Sequence, residues 1–194
     1  MAARALRRVA GPRGAARFLS HGTATLPEST ERLRFDWWEA VDPVCAHSLW
    51  GDERVMQFLV SPQDGLSVAA RLGSQATARA DAGIQYWPLF LREGDGAFVG
   101  CCGLKPRTEP RTYELGFHLM HDHWGKGIAT EAAARVIAHG FNTRGADALF
   151  AGHRPANESS RKAILRLGFV FDYEDLFAPT GLIHPRYKLL APQV

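Results

Sequence analysis

Cysteine is scarce in this chain of 194 residues: three in all, at positions 45, 101 and 102. An odd, unevenly spaced trio supplies no disulfide framework, and no Cys or Cys-His spacing around it matches a zinc frame. Cys101 and Cys102 fall in Ala97 to Leu104, a strand candidate in which adjacent side chains face opposite ways, so both are expected as core or half-buried thiols of a reducing, cytoplasmic compartment. Long apolar runs are also missing. Nothing approaches the ~20 residues that cross a bilayer, which excludes a helical membrane span, and a soluble protein is expected. Internal repeats are absent. Acidic residues are absent before Glu28, where five arginines (4, 7, 8, 13 and 17) stand; the remainder carries 18 basic against 20 acidic residues, so the net charge of +3 belongs to the tail. An Arg-rich, acid-poor start resembles a transit peptide to the mitochondrial matrix. Pro12 and glycines 11, 14 and 22 interrupt any amphipathic helix there, which favours a disordered extension over residues 1–27. No motif supports nucleic-acid binding by the tail.

What remains, residues 28–194, is long enough for one core, and the 46% hydrophobic content of the chain suits a single domain. Turn signals divide it. Glu31 to Asp36 reads as a strand, Pro43 to Leu59 as one broken helix or two short ones, and Leu66 to Ala82 as an Ala-rich helix. Ile84 to Arg92 and Ala97 to Leu104 are strands around the hairpin signal Glu93-Gly94-Asp95-Gly96. Pro88 demotes the first of them to an edge or bulged strand. Thr112 to Met120 and Ala148 to His153 follow as strands, with Phe169 to Tyr173 and Ile183 to Leu190 closing the pattern. The order implies an α+β fold, a mixed and mostly antiparallel central sheet flanked by helices in three layers.

The most informative run is His123-Trp124-Gly125-Lys126-Gly127-Ile128-Ala129-Thr130-Glu131. Glycines at 125 and 127 directly before a helix former leave backbone N–H groups open to an anion, at the positive end of the helix dipole. The alanines at 132, 133 and 134, with Val136 and Ile137, continue that helix, and Glu131 and Arg135 are placed to pair at i,i+4 on its outer face. Strand, glycine turn and helix make a nucleotide-type site. A Walker P-loop would need two glycines four residues apart followed by Lys and Ser or Thr, and a dinucleotide fingerprint a third glycine where Thr130 stands; neither order is present. A second block, Asn157-Glu158-Ser159-Ser160 through Leu167-Gly168-Phe169, has a good N-cap in Asn157 and a good stop in Gly168. Alone it is a capped surface helix.

Together, in this order and about 30 residues apart, the two blocks resemble those of the GNAT superfamily of N-acetyltransferases. The string Glu114-Leu115-Gly116-Phe117 followed by His123-Trp124-Gly125-Lys126-Gly127 is similar to the RimJ/RimL-like branch in particular; the Trp at the first motif position departs from the superfamily's Gln or Arg. The resemblance spans Glu31 to Leu190. It implies a sheet with splayed strands and the transfer of an acetyl group from acetyl-CoA to a primary amine, by direct attack in a ternary complex. It implies too that Gly125, Lys126, Gly127, Ile128, Ala129 and Thr130 hold the diphosphate. The main chain of Phe117, His118 and Leu119 faces the pantetheine and thioester, and Asn157 bonds the pantetheine.

Amide formation needs a base, an oxyanion donor and an acid. Many superfamily members place a Tyr seven residues after the helix-capping Asn, but Ile164 stands there. The resemblance offers Ser160 as the acid beside the CoA sulfur, against an ordinary first-turn Ser. Glu114 is the base candidate, a carboxylate in a cleft, against a merely structural role; His118 is second. Gly116 is expected to mark a bulge or close approach that permits the splay. His118, His121 and His123 have no metal-ligating spacing, and no metal is expected. Trp37, Trp38, Trp50 and Trp87 can line an acceptor groove, though buried aromatics are more often core. Asp172, Glu174 and Asp175 put negative charge in a loop before the last strand, which suits a cationic amine. The acceptor is a small amine or a protein N-terminus, and a monomer or homodimer is expected. The competing possibility is a domain that binds acyl-CoA as a sensor without turnover.

Overall fold

The computed structural model describes residues 24–58 and 65–192; the arginine-rich stretch before residue 24 lies outside them. Seven strands form one sheet: β1 (Leu33–Phe35), β2 (Tyr86–Leu91), β3 (Phe98–Pro106), β4 (Thr112–Leu119), β5 (Ala148–Gly152), β6 (Val170–Phe177) and β7 (Leu182–Leu190). Their spatial order is β1-β2-β3-β4-β5-β7-β6. Every neighbouring pair is antiparallel except β4 and β5. The helices are α1 (Pro43–Trp50), α2 (Glu53–Met56), α3 (Gly65–Ala82), α4 (Ile128–Asn142) and α5 (Glu158–Arg166). The stretch expected as a broken helix is α1 and α2, divided at Gly51, and Asp52 restarts the chain by accepting a hydrogen bond from Arg54 N.

Two cores lie on opposite faces. Ile128, Ala132, Ala133 and Val136 of α4 and Ile164 of α5 pack on Cys102, Leu104, Leu115, Leu119 and Leu149. On the other face Ala46, Leu49, Trp50, Val55, Met56 and Val68 pack around Cys101. Adjacent cysteines thus enter different cores, as strand alternation requires. The indoles of Trp38, Trp50 and Trp87 are buried, so these tryptophans fill cores rather than line a groove.

Several expectations are corrected. Pro88 does not make β2 an edge strand, since β2 lies between β1 and β3, but the other alternative expected of it, a bulge, is present: the register with β3 shifts between Leu89 and Phe90. The missing N–H of Pro88 falls just past the end of the three-residue β1, where its carbonyl accepts from Asp36 N. Asp172, Glu174 and Asp175 belong to β6, not to a loop, because β6 runs on to Phe177. Glu131 and Arg135 do not pair. Glu131 is held by Thr30 and Arg32, and Arg135 by Glu28 at 2.7 Å. A segment more than 90 residues upstream lies against α4 and captures both side chains, so neither is left to the other.

Candidate active site

The parallel ladder between β4 and β5 covers only Thr112 to Glu114 against Ala148 to Phe150. Both strands continue beyond it, β4 to Leu119 and β5 to Gly152, so they diverge and leave a wedge in the sheet. Met120 N donates to Val99 O and Arg107 N to Thr112 O, and antiparallel register alternates. Even-numbered residues of β4 therefore bond to β3, and odd-numbered ones turn their main chain the other way. Phe117 and Leu119 face the wedge. The main chain of His118, expected there too, is instead paired with Cys101 in β3.

Parallel strands send their following loops to the same edge of the sheet. The N-termini of α4 and α5 accordingly flank the wide end of the wedge. Gly125 and Gly127 both have positive φ, 71° and 75°, a conformation that glycine adopts without steric cost. Gly127 caps α4 with no side-chain bond, and the first helical bond runs from Glu131 N to Gly127 O. The amides of Ile128, Ala129 and Thr130 have no partner among the described residues, a ready anion cradle. Arg32 leans over it. Its guanidinium donates to Glu131 Oε2 at 2.6 Å and to Lys126 O at 3.0 Å. Burial pushes the Glu131 carboxyl up, but hydrogen bonds from Thr30 and Arg32 outweigh it and hold the group below its usual range. The departure at Trp124 has a structural use: its indole donates to Leu119 O at 2.9 Å and so pins the glycine loop to the end of β4.

On the β5 side, Asn157 Oδ1 accepts from Ser160 N at 3.0 Å, the N-cap expected of it. The Ser160 hydroxyl makes no hydrogen bond among the described residues and is half-buried at the first turn of α5. Glu114 sits at the last paired position, the root of the wedge. Its Oε1 accepts from Arg186 at 3.2 Å, and Arg186 donates from Nε to Asp175 Oδ1 at 2.7 Å. Arg186 is only 9% exposed and lies across Gly152, where a Cβ would strike its guanidinium. Glu114 Oε2 has no hydrogen-bond partner among the described residues.

His118 is unsuited to the base role. Its Nδ1 accepts from the Trp50 indole at 3.1 Å, which leaves Nε2 carrying the proton. Burial, with Arg71 nearby, depresses its pKa to about 3. No bulge occurs at Gly116, which pairs in register with Gly103. The close approach expected there is made by Tyr86, whose hydroxyl end fills the space a Cβ at 116 would need.

Arg32, Tyr86 and Arg186 escape a sequence reading. Two glycines opposite a strand tyrosine, and an arginine alternating with apolar residues in the final strand, are the only signals, and neither identifies its partner. Among the described residues no group of His, Cys, Asp and Glu is arranged to hold a metal.

A model of the acetyltransferase (GNAT) domain matches residues 32–170. An uncharacterised N-acetyltransferase of Bacillus licheniformis, p20, is 28% identical over 143 residues, 72% of this chain and 80% of that protein. Among solved structures, a GNAT-family acetyltransferase from Bacillus anthracis superposes with a TM-score of 0.73 at 20% identity, covering 86% of this chain and 98% of that one. RimL, a ribosomal L7/L12 alpha-N-protein acetyltransferase in complex with coenzyme A, gives 0.70 at 15% identity over 86% of this chain and 98% of that one.

Proposed function

The chain belongs to the GNAT acetyltransferase family, and on that premise we propose that it moves the acetyl group of acetyl-CoA to a primary amine, a protein N-terminus or a small amine, in a ternary complex. The observation that carries this reading is the early end of the β4–β5 ladder beside an uncapped helix start. The wedge offers main-chain groups to a pantetheine arm, and the amides from Gly125 to Thr130 offer donors to a diphosphate. Arg32 adds a fixed cation beside that cradle.

In the reaction the amine nitrogen attacks the thioester carbon, a C–N bond forms and the carbonyl electron pair moves to oxygen. Collapse breaks the C–S bond; the nitrogen proton goes to Glu114 and sulfur takes its proton from Ser160, and transfer through solvent from Glu114 to Ser160 resets both groups. Glu114 receives the amine proton at Oε2 while Arg186 holds Oε1 and fixes the carboxylate's direction. The Phe117 amide donates to the developing oxyanion. Ser160, its hydroxyl free at the start of α5, protonates the departing thiolate, and Asn157 holds the turn that presents it.

Calorimetry with acetyl-CoA, followed by a consumption screen over small amines and peptides with free N-termini, tests the proposal. Binding and turnover are expected for the wild type, and loss of binding for Gly127→Val, since a β-branched residue is strained at φ 75°. Binding without turnover on any amine would leave a sensor; no binding would end the reading.

A further inference from the structure

Tyr86 is placed with unusual care. It stands in register with Gly103 on β3, which in turn pairs with Gly116 on β4, so its ring lies across two positions that have no side chain. A Cβ at Gly103 would collide with the Gln85 carbonyl and the Tyr86 Cα; one at Gly116 would collide with the Tyr86 hydroxyl and ring. The backbone beneath is pinned, with Tyr86 N donating to Gln75 Oε1 at 2.7 Å and Tyr86 O accepting from the Trp38 indole at 2.6 Å. The ring meets His118 edge-on at 5.8 Å between centroids.

Its hydroxyl alone lacks a partner among the described residues. The side chain also lines an open groove of about 580 Å³ between α3 and β3. The residue after Gly116 is Phe117, whose N–H opens on the wedge. The hydroxyl on the sheet face, over Gly116, and the Phe117 N–H in the sheet plane are therefore donors at neighbouring positions of β4.

We infer that the Tyr86 hydroxyl is a second oxyanion donor, acting with the Phe117 amide on the thioester oxygen of acetyl-CoA as the amine adds. The inference rests on the proposed function and deepens it. The hydroxyl donates a hydrogen bond and keeps its proton throughout: the nitrogen proton still passes to Glu114, sulfur still takes its proton from Ser160, and nothing is transferred from the ring. Burial, and next the charge of Glu114, push the phenol's pKa well up, which suits a donor that must not ionise beside a carboxylate. A half-buried donor held in place by its backbone and ring contacts costs little reorganisation when charge develops.

The test compares wild type with Tyr86→Phe, which keeps the ring and removes only the unpartnered hydroxyl. With an acceptor found in the screen, kcat should fall roughly 10²-fold while KM for acetyl-CoA and the unfolding temperature stay unchanged. Isotope-edited infrared spectra of carbonyl-labelled acetyl-CoA need no acceptor: the thioester stretch should lie lower on the wild type than on Tyr86→Phe. Gly116→Ala, which keeps the hydroxyl but displaces it, should reproduce both effects. Identical carbonyl frequencies and a kcat within twofold would overturn the role of Tyr86 alone. Failure of the wild type to bind acetyl-CoA would sink the proposed function with it.

Discussion

Arg32 acquires its role from a carboxylate 99 positions away. Read in isolation it is one exposed arginine among many. Held on Glu131 and on the Lys126 carbonyl, it becomes a fixed charge beside the start of α4, where the diphosphate is proposed to bind. Arg32→Ala should weaken acetyl-CoA binding about 5-fold, the scale of ~1 kcal/mol for a half-exposed charge pair, and the difference should shrink at high salt; calorimetry at two ionic strengths measures both. His118 makes the opposite point: three histidines in six positions invite a base, and the Trp50 indole removes the lone pair a base would use. Its folded pKa of about 3 lies below the ordinary imidazole value of 6.5, so the unfolded chain binds the extra proton first. Stability contributed by neutral His118 is present above pH 6.5 and lost as pH falls through that value toward 3. His139, lowered to about 4 by burial and Arg144, acts in the same sense. Urea midpoints should therefore fall from pH 7 to pH 5, with a shallower slope in His118→Phe. A slope unchanged by that substitution would count against the buried, neutral imidazole.

At the level of elements, β4 was legible as a strand because Thr112 to Leu119 alternates, and α4 and α5 because glycine and asparagine mark their starts. What the alternation does not disclose is which edge of β4 stays unpaired. Register with β3 decides it, giving Phe117 and Leu119 to the wedge and withdrawing His118. Amide exchange should show it directly. Without ligand the Phe117 and Leu119 amides should exchange fast and the Gly116 and His118 amides slowly; acetyl-CoA should protect the first pair. Uniform protection along β4 in the free protein would close the wedge. At α5, Asn157→Ala removes the cap accepted from Ser160 N and should cost about 1 kcal/mol of stability, read from denaturant unfolding. It should lower turnover further by loosening the turn that carries Ser160. The length of β6 was misjudged because charged residues in Asp172 to Asp175 look like a loop. They are tolerated in an edge strand, where one face meets solvent and Arg186 answers Asp175.

For the whole molecule, the site is a junction of distant pieces: an N-terminal segment on α4, a tyrosine from β2, a carboxylate on β4 and an arginine from β7. Anything that binds the folded junction and not the unfolded chain must stabilise the protein. Acetyl-CoA at a hundred times its Kd should add about 2.7 kcal/mol, seen as a rise in unfolding temperature, and Gly127→Val should erase the gain.

The family, the order of elements and the glycine-led start of α4 were determined by the sequence itself, since glycine positions, helix caps and apolar periodicity are local properties that need no partner. The tertiary structure alone decided that His118 is withdrawn from the free edge of β4 and which residues meet at the root of the wedge. Pairing energy depends on groups brought together from opposite ends of the chain, and local spacing carries no record of that choice.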